Sequence, residues 1–391
     1  MAWKEPRAQA CACERSEREG VLMKLNLVRE QLLKPLQTAI GAVDHKQAMP
    51  ILSNVLLDLR DKKLSVTGTD LEIELIGQSM VPDVKESQAR LTLPARKLFD
   101  ICKALPEFAA IELYQEKDRV ILKSDRSRFT MATLPADDFP NVESAETKLT
   151  FSLSQGVLSD LLHRTAFAMA QQDVRYYLNG MLLEIAENML RVVATDGHRL
   201  AMNQAAIDIV KPHRLQTIMP YKAVMELMRL LKTPESILTV QIGLHHIRLF
   251  SDDFVFTSKL VEGRFPDYQR VIPKMGDKIV LVDRDTLKQA LSRIAILCHD
   301  KVRGVRFELK SGSLQLFANN TEHEAAEETV DIDYRGQPLD IGFNITYLLD
   351  ALSVVQPGLV RLTLIDTNSS MRIDEPNSDG SSIFVVMPMR I

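Results

Sequence analysis

The sequence predicts an α+β chain made of three copies of one unit, each with two helices packed on antiparallel sheet. Three observations carry that reading. A strand-like segment recurs: Ile51 to Leu59, Tyr177 to Ile185 and Lys301 to Leu309 each alternate apolar residues and place an acid next to last. The spacing that follows is kept: Asn54 to Asp70, Gly180 to Asp196 and Gly304 to Asn320 are each 16 residues apart. So is the next interval, because Asp70 to Pro94, Asp196 to Pro220 and Asn320 to Asn344 are each 24 residues. Spacing repeated without gaps marks one folding unit used three times.

Each unit opens with a strand and an amphipathic helix. In the first, the helix covers about Arg29 to Ala42, with Leu32, Leu33, Leu36 and Ile40 on one side. In the second, Leu158, Leu161, Leu162, Thr165 and Ala166 take the buried-face positions, and in the third Leu287, Ala290, Leu291 and Ile294 do. The paired strands come next, the second of each pair running Leu64 to Asp70, Leu190 to Asp196 and Leu314 to Asn320. A second helix follows, with Pro94 and Pro220 near its start, where proline is tolerated because that amide has no helical partner. Its apolar stripes are Leu98-Ile101-Cys102-Leu105, Val224-Leu227-Met228-Leu231 and Leu348-Ala351-Leu352-Val355. Further strands close the unit: Ile111 to Leu113, Val120 to Lys123 and Phe129 to Thr133 in the first copy. Asp137-Asp138-Phe139-Pro140-Asn141 and Gly263-Arg264-Phe265-Pro266-Asp267 read as connectors. The expected domains are 23–146, 147–270 and 271–391. Residues 1–22 are polar and out of register, and read as a disordered extension.

Composition narrows the function. Of 391 residues, 46% are hydrophobic and 26% charged, as in ordinary globular proteins, and no apolar run approaches a membrane span. The segment before Met23 lacks the apolar stretch of a signal peptide, so the expected compartment is the cytoplasm. Four cysteines are too few for a secreted scaffold. Cys102 and Cys298 fall among apolar helical residues and read as reduced core thiols. The formal charge of −4 means that polyanion binding needs a local basic surface. Such groups recur on helices: Arg96, Lys97 and Lys103; His163 and Arg164; Lys222, Arg229 and Lys232; Arg284, Lys288 and Arg293. Taken singly they are solvated faces. Repeated in successive units, they admit a second reading, a positively charged surface that holds phosphates without reading bases. Glu322, Glu324, Glu327 and Glu328 crowd one stretch of the third unit, whereas Arg126 and Arg128 flank Ser127 in the first. Opposite signs at the two ends suggest end-to-end joining.

Catalytic and cofactor signatures are missing. There is no GxxxxGK[ST] loop and no GxGxxG after a strand. His245 and His246 are strand neighbours facing opposite ways, and Cys11-Ala12-Cys13 lacks a second ligand pair. No cofactor and no metal is expected. Thr195-Asp196-Gly197-His198-Arg199 admits a metal-assisted phosphodiesterase using Asp196 and His198. Thr69-Asp70 stands at the matched place in the first unit, which favours a recurring strand end instead.

Gln172 to Gly180, Ala194-Thr195-Asp196-Gly197-His198-Arg199-Leu200, Gly263-Arg264-Phe265-Pro266-Asp267-Tyr268 and the ending Val386-Met387-Pro388-Met389-Arg390 closely resemble the bacterial sliding clamps, the beta subunits of DNA polymerase III. The resemblance runs from Met23 to Ile391, in order. It implies crescents that dimerise head to tail into a ring around double-stranded DNA, with helices inside and sheets outside. It implies no enzyme activity but a processivity factor that tethers the replicative polymerase alpha subunit, the clamp-loader complex, other DNA polymerases and repair proteins. By the resemblance, the dimer seam would take Arg126, Arg128 and Phe129 on one side and Ile296, Leu297, Glu322, Glu324, Glu327 and Glu328 on the other. DNA would meet Lys46, Arg96, Arg175, Tyr176 and Tyr177. Client peptides would enter a pocket lined by Leu178, Thr195, Gly197, His198, Arg199, Leu200, Pro266, Arg270 and Val271 from the second unit and its connector. The third unit would add Asn344, Tyr347, Asn368, Ser370, Val385, Met387, Pro388, Met389 and Arg390. Methionines suit varied peptides because they repack. Val302 and Asn368 depart from the family's usual residues and bear on client preference. A repeat scaffold that does not encircle DNA is the remaining alternative.

Overall fold

The computed structural model describes residues 21–390, apart from 45–48, 85–87, 141–145, 210–213, 274–275, 300, 377 and 379, and omits the side chains of 21–23. Within these residues the chain repeats one order of elements three times: strand, helix, four strands, helix, three strands. The first repeat is β1 (Val21–Val28), α1 (Arg29–Ala39), β2 (Asn54–Arg60), β3 (Lys63–Thr69), β4 (Ile73–Met80), β5 (Gln88–Pro94), α2 (Ala95–Ala104), β6 (Ala110–Glu116), β7 (Arg119–Ser124) and β8 (Ser127–Ala132). The second is β9 (Thr147–Ser154), α3 (Gln155–His163), β10 (Gly180–Ala186), β11 (Met189–Thr195), β12 (Arg199–Ala206), β13 (Leu215–Pro220), α4 (Tyr221–Leu230), β14 (Ile237–Gly243), β15 (His246–Phe250) and β16 (Phe254–Lys259). The third is β17 (Lys278–Asp283), α5 (Arg284–Ile294), β18 (Gly304–Lys310), β19 (Ser313–Asn319), β20 (Ala325–Asp331), β21 (Leu339–Asn344), α6 (Ile345–Val354), β22 (Leu359–Leu364), β23 (Met371–Asp374) and β24 (Ser382–Val386). The first strand starts at Val21, two residues before the expected start at Met23.

The chain divides into two compact units. The described parts of Met1–Lys148 with Leu238–Lys259 form one, and Leu149–Ile237 with Leu260–Ile391 form the other. In the first, β1-β6-β7-β8 make a four-stranded antiparallel sheet, and β5-β2-β3-β4 run on through β16-β15-β14. The join is an antiparallel pairing of β4 with β16, Leu75 facing Phe256. One core of Leu25, Leu32, Leu36, Leu57, Leu91, Leu98, Leu113 and Leu122 draws on β1, α1, β2, β5, α2, β6 and β7. The helices therefore share a single apolar interior with both sheets, which is how an amphipathic stripe and a sheet face are buried together. In the second unit, β13-β10-β11-β12-β24-β23-β22-β17 form an eight-stranded sheet, and β20-β19-β18-β21 a four-stranded one. Here β12 pairs with β24, Leu200 facing Val385.

Several expectations shift at the local level. The strands begin later than their apolar runs, because Pro50–Ser53 and Tyr176–Leu178 are 3-10 turns. Tyr176 and Tyr177 are therefore turn residues rather than strand residues. β10 is buried along its whole length instead of alternating. Its second face is covered by the connector after β16, since Phe265 and Tyr268 pack with Leu178, Leu182, Val193 and Val385. In the first repeat Phe139 covers Ile51, Leu52 and Leu56 in the same way. Cys102 and Cys298 are free and buried, and burial pushes the Cys102 thiol up to about 12. Cys298 lies just past a 3-10 turn, not in a helix.

Candidate functional site

The site starts at the turn after β11. Thr195 Oγ1 donates to the Arg199 carbonyl at 2.6 Å and accepts from the Gly197 amide at 3.1 Å. Asp196 Oδ1 accepts from the His198 and Arg199 amides at 2.9 and 3.0 Å. These side chains satisfy backbone groups that the ladder leaves free. Gly197 has φ +89°, and a Cβ there would lie 3.1 Å from Arg175 Nη1. The first repeat builds the same turn. Thr69 Oγ1 donates to the Ile73 carbonyl, and Asp70 Oδ1 accepts from the Glu72 and Ile73 amides, each at 2.8 Å. The Thr-Asp pair is thus a recurring structural device. The other Asp196 oxygen is held by Arg199 Nε at 3.1 Å, which engages the base that a phosphodiesterase would need.

This turn roofs an apolar cavity of about 170 Å3. Leu178, Thr195, Gly197, Arg199, Leu200, Pro266, Val271, Val385 and Met387 line it, all nine on the list that the resemblance implied. Arg175, Tyr177 and Tyr268 line it as well. Arg175 and Tyr177 belong to the set expected to meet DNA, and Tyr268 to neither expected set. Tyr268 is buried, and its hydroxyl donates to the Glu184 carboxylate. Burial and then that bond push its phenol up to about 12. Glu184 also accepts from Gln216 Nε2 at 2.7 Å, so the wall of the cavity is pinned from behind. A buried Glu with a hydrogen-bonding tyrosine is visible in the sequence only as an apolar strand's odd acid. The chain end is fixed too: the Met387 amide donates to the His198 carbonyl and the Met389 amide to the Gly342 carbonyl, both at 2.9 Å.

A second cleft of about 600 Å3 shares Arg175 and Arg199 with the first. His198 and Tyr347 of the expected set lie here, with Phe167, Met169, Met225 and Met228, which no sequence signal singled out as a site. The Arg199 guanidinium sits 4.5 Å from the Tyr347 ring centre and 5.4 Å from that of Phe167, and pairs with Asp196 and Asp350. Arg175 is bonded to Asp173 at 2.8 Å, and this holds the Asp173 carboxyl down to about 2.

The remaining expected residues line neither cavity. Asn344 caps α6, its Oδ1 accepting from the Thr346 amide at 2.9 Å. Ser370 Oγ donates to the Val271 carbonyl at 3.3 Å, and the exposed Arg270 pairs with Asp267 at 2.8 Å. Asn368 belongs to a turn in which Asp366 Oδ1 accepts its amide at 2.8 Å. Pro388 and Met389 are half-buried, Arg390 is exposed, and Val302 is exposed.

The charged surfaces sort unevenly. Arg96 and Tyr176 are exposed and Tyr177 is half-buried, while Lys46 lies outside the described residues. Arg164 corrects an expectation. It is not on an open helix face but buried, with Asp160 at 3.0 Å and Glu375 at 2.8 Å. Arg284 is likewise mostly buried, beside Asp285 at 3.0 Å. β8, which carries Arg128 and Phe129, is the edge of its sheet, and Arg126 is exposed in the turn before it. β20, which carries Glu327 and Glu328, is the edge of another, with Glu322 and Glu324 exposed in the turn before it. Glu328 pairs with Arg293 on α5. Ile296 is 78% exposed and Leu297 half-buried in the 3-10 turn after α5. No helix among the described residues is long and apolar enough to cross a membrane.

Comparison with known proteins matches all three repeats. Sequence models of the DNA polymerase III beta subunit match residues 23–143 (N-terminal domain), 152–267 (central domain) and 269–390 (C-terminal domain). The beta sliding clamp of Pseudomonas putida is 52% identical over 369 residues, which is 94% of this chain and 100% of that one. The crystal structure of the DNA polymerase III subunit beta from Pseudomonas aeruginosa superposes with a TM-score of 0.92 at 51% identity, covering 94% of this chain and 100% of that one. A Pseudomonas aeruginosa sliding clamp bound to griselimycin matches with a TM-score of 0.92 at 50% identity, covering 95% and 100%.

Proposed function

We infer the working of this protein from one premise: the chain belongs to the DNA polymerase III beta-subunit family, the bacterial sliding clamps. It is a processivity factor of DNA replication, a non-catalytic subunit of the polymerase III holoenzyme. The reading beyond that is a ring of two subunits joined head to tail around duplex DNA in the cytoplasm. One observation supports it most. Successive repeats are joined by the same antiparallel pairing, β4 with β16 and β12 with β24. Continuing that pattern, β20 of the third repeat needs a partner equivalent to β16 and β24, and β8 of the first repeat is the matching strand with an open edge. An open edge is a template for another chain. The charges are complementary, Arg126 and Arg128 against Glu322, Glu324 and Glu327, with Glu328 already paired to Arg293 within the chain. A heterologous contact that closes gives a ring.

Processivity then comes from topology. A polymerase tied to a closed ring rebinds at high effective concentration instead of diffusing away. Lys46, Arg96, Arg175, Tyr176 and Tyr177 would touch DNA weakly, as sliding requires. The replicative polymerase alpha subunit, the clamp loader, and other polymerases and repair proteins would place a short peptide in the apolar cavity beside Leu178 and Met387. Val302 and Asn368 would tune which clients fit. After loading onto nicked circular duplex, the protein is expected to stay bound and to be released when the circle is cut. Equal retention on circular and linear DNA overturns encirclement and leaves a surface-binding scaffold.

A further inference from the structure

The connector that walls the small apolar cavity is thin. Pro266, Tyr268 and Val271, all from one short segment, line that cavity. Tyr177, Pro266 and Tyr268 also line a different cleft, of about 750 Å3, which reaches Glu184 and Gln216. The wall therefore has open space on two sides, and dispersion contacts are lost wherever atoms are missing. Apolar packing is also non-directional, whereas a hydrogen bond fixes a distance and an angle. The Tyr268 hydroxyl makes such a bond, to the Glu184 carboxylate on β10. The matched position in the other repeats behaves differently. Glu184 is the acid that stands next to last in the recurring strand segment, and its counterparts are Asp58 and Glu308. In register, Asp58 faces Arg90, Glu184 faces Gln216 and Glu308 faces Asp340. Asp58 and Glu308 are half-buried and pair with cations, Arg60 at 2.9 Å and Lys310 at 3.0 Å. Glu184 alone of the three is buried. One of its oxygens accepts from Gln216 Nε2 at 2.7 Å and the other from Tyr268, with Arg191 Nη1 farther off at 3.6 Å. A carboxylate taken inside is costly unless its bonds are complete. Fold stability alone does not explain this one, since the other repeats fold with the acid near the surface.

We infer that Glu184 is a positioning residue for client binding. It touches no client. By holding the Tyr268 hydroxyl it sets the depth of the wall that Pro266, Tyr268 and Val271 form. The inference rests on the reading of the small cavity as the client pocket, and adds what fixes that pocket's shape. The Tyr268 ring lines the cavity while its hydroxyl turns to β10. Removing the bond thus leaves the apolar lining chemically intact and frees the ring to shift. Gln216 supports the arrangement. It stands where the first repeat has Arg90, and as a neutral amide it satisfies one carboxylate oxygen and leaves the other to the phenol.

The test uses the full-length protein and fluorescence anisotropy, at a temperature well below melting. The probes are labelled short peptides, each carrying two adjacent apolar residues (Leu, Met or Phe). Tyr268→Phe and Glu184→Leu are each expected to weaken the tightest peptide roughly three- to tenfold, as loss of one hydrogen bond implies. The double variant is expected to bind no more weakly than either single one, because Glu184 acts through that hydroxyl. Glu184→Gln keeps an acceptor for the hydroxyl and is expected to bind as the unaltered protein does. A purely structural role would lower the melting temperature and leave affinity unchanged in the folded variants, and that result overturns the inference. So does a double variant whose losses multiply, or a Glu184→Gln variant as weak as Glu184→Leu. If Glu184→Leu does not fold, the other two single variants decide: Tyr268→Phe must lose affinity and Glu184→Gln must keep it. If no peptide binds the unaltered protein, the client pocket itself is misplaced. The missing baseline tells that outcome apart from the others, and the inference falls with it.

Discussion

The proposed seam between subunits can be tested at Ile296. This side chain is 78% exposed in the single chain, whereas its neighbour Leu297 is half-buried and contributes to the fold it sits in. Ile296→Asp therefore perturbs an interface with little effect on the monomer. Burying an isoleucine is worth roughly 1.5–3 kcal/mol, and aspartate forfeits that gain. A head-to-tail dimer contains the contact twice, so the closed ring loses about 3–6 kcal/mol. That corresponds to a dissociation constant raised by roughly two to four orders of magnitude. Sedimentation velocity over a dilution series, from micromolar downward, reads the change directly. The variant is expected to be monomeric where the unaltered protein is dimeric, with an unchanged melting temperature. Identical dilution curves for the two proteins would refute the placement of the seam. A variant that is monomeric because it has unfolded would show itself in the melting curve.

Other outcomes follow from the site. Gly197→Ala is expected to weaken peptide binding about tenfold, because its Cβ meets the Arg175 guanidinium at 3.1 Å and the residue must hold φ +89°; unchanged anisotropy titrations would count against that geometry. Tyr268→Phe leaves buried Glu184 short of a donor, so a loss of about 1–3 kcal/mol in urea unfolding is expected, and wild-type stability would show the bond to be idle. The Asp173 carboxyl, ordinarily near 3.8, is held down to about 2 by Arg175, so its stabilising contact is complete above 3.8 and lost as pH falls toward 2. A carboxyl-carbon NMR titration is expected to show that low midpoint and a rise in Arg175→Gln, short of the usual aspartate range because the residue 175 amide still donates to Asp173 Oδ1 at 2.8 Å. Deleting Met387 to Ile391 is expected to abolish peptide binding and leave the dimer intact, whereas undiminished affinity would move the pocket elsewhere.

The repeat was legible because it leaves a local trace. Helix stripes such as Leu158, Leu161 and Leu162, and strand ends such as Thr69-Asp70 and Thr195-Asp196, recur at fixed intervals. What the intervals do not carry is pairing between distant segments. Nothing local distinguishes β12 as the neighbour of β24, which follows it by well over a hundred residues, and such contacts leave no period to read. The connectors were legible as proline-bearing joints but not as walls. Phe265 and Tyr268 reveal their role only once they lie on β10 and bury its second face. For the same reason Arg164 was misread as a surface cation. Its partner Glu375 is remote in sequence and near in space. The pocket residues came from resemblance to a family, and only half of them line the cavity directly.

The two strand joints inside each chain differ from a joint between chains in one respect. The segments meeting at β4 and β16, and at β12 and β24, are leashed by continuous backbone, so a momentary rupture heals at once. A seam made by β8 and β20 has no leash. In the proposed ring, strain on the closed assembly would therefore discharge there first, at the place where the polypeptide stops holding the molecule together.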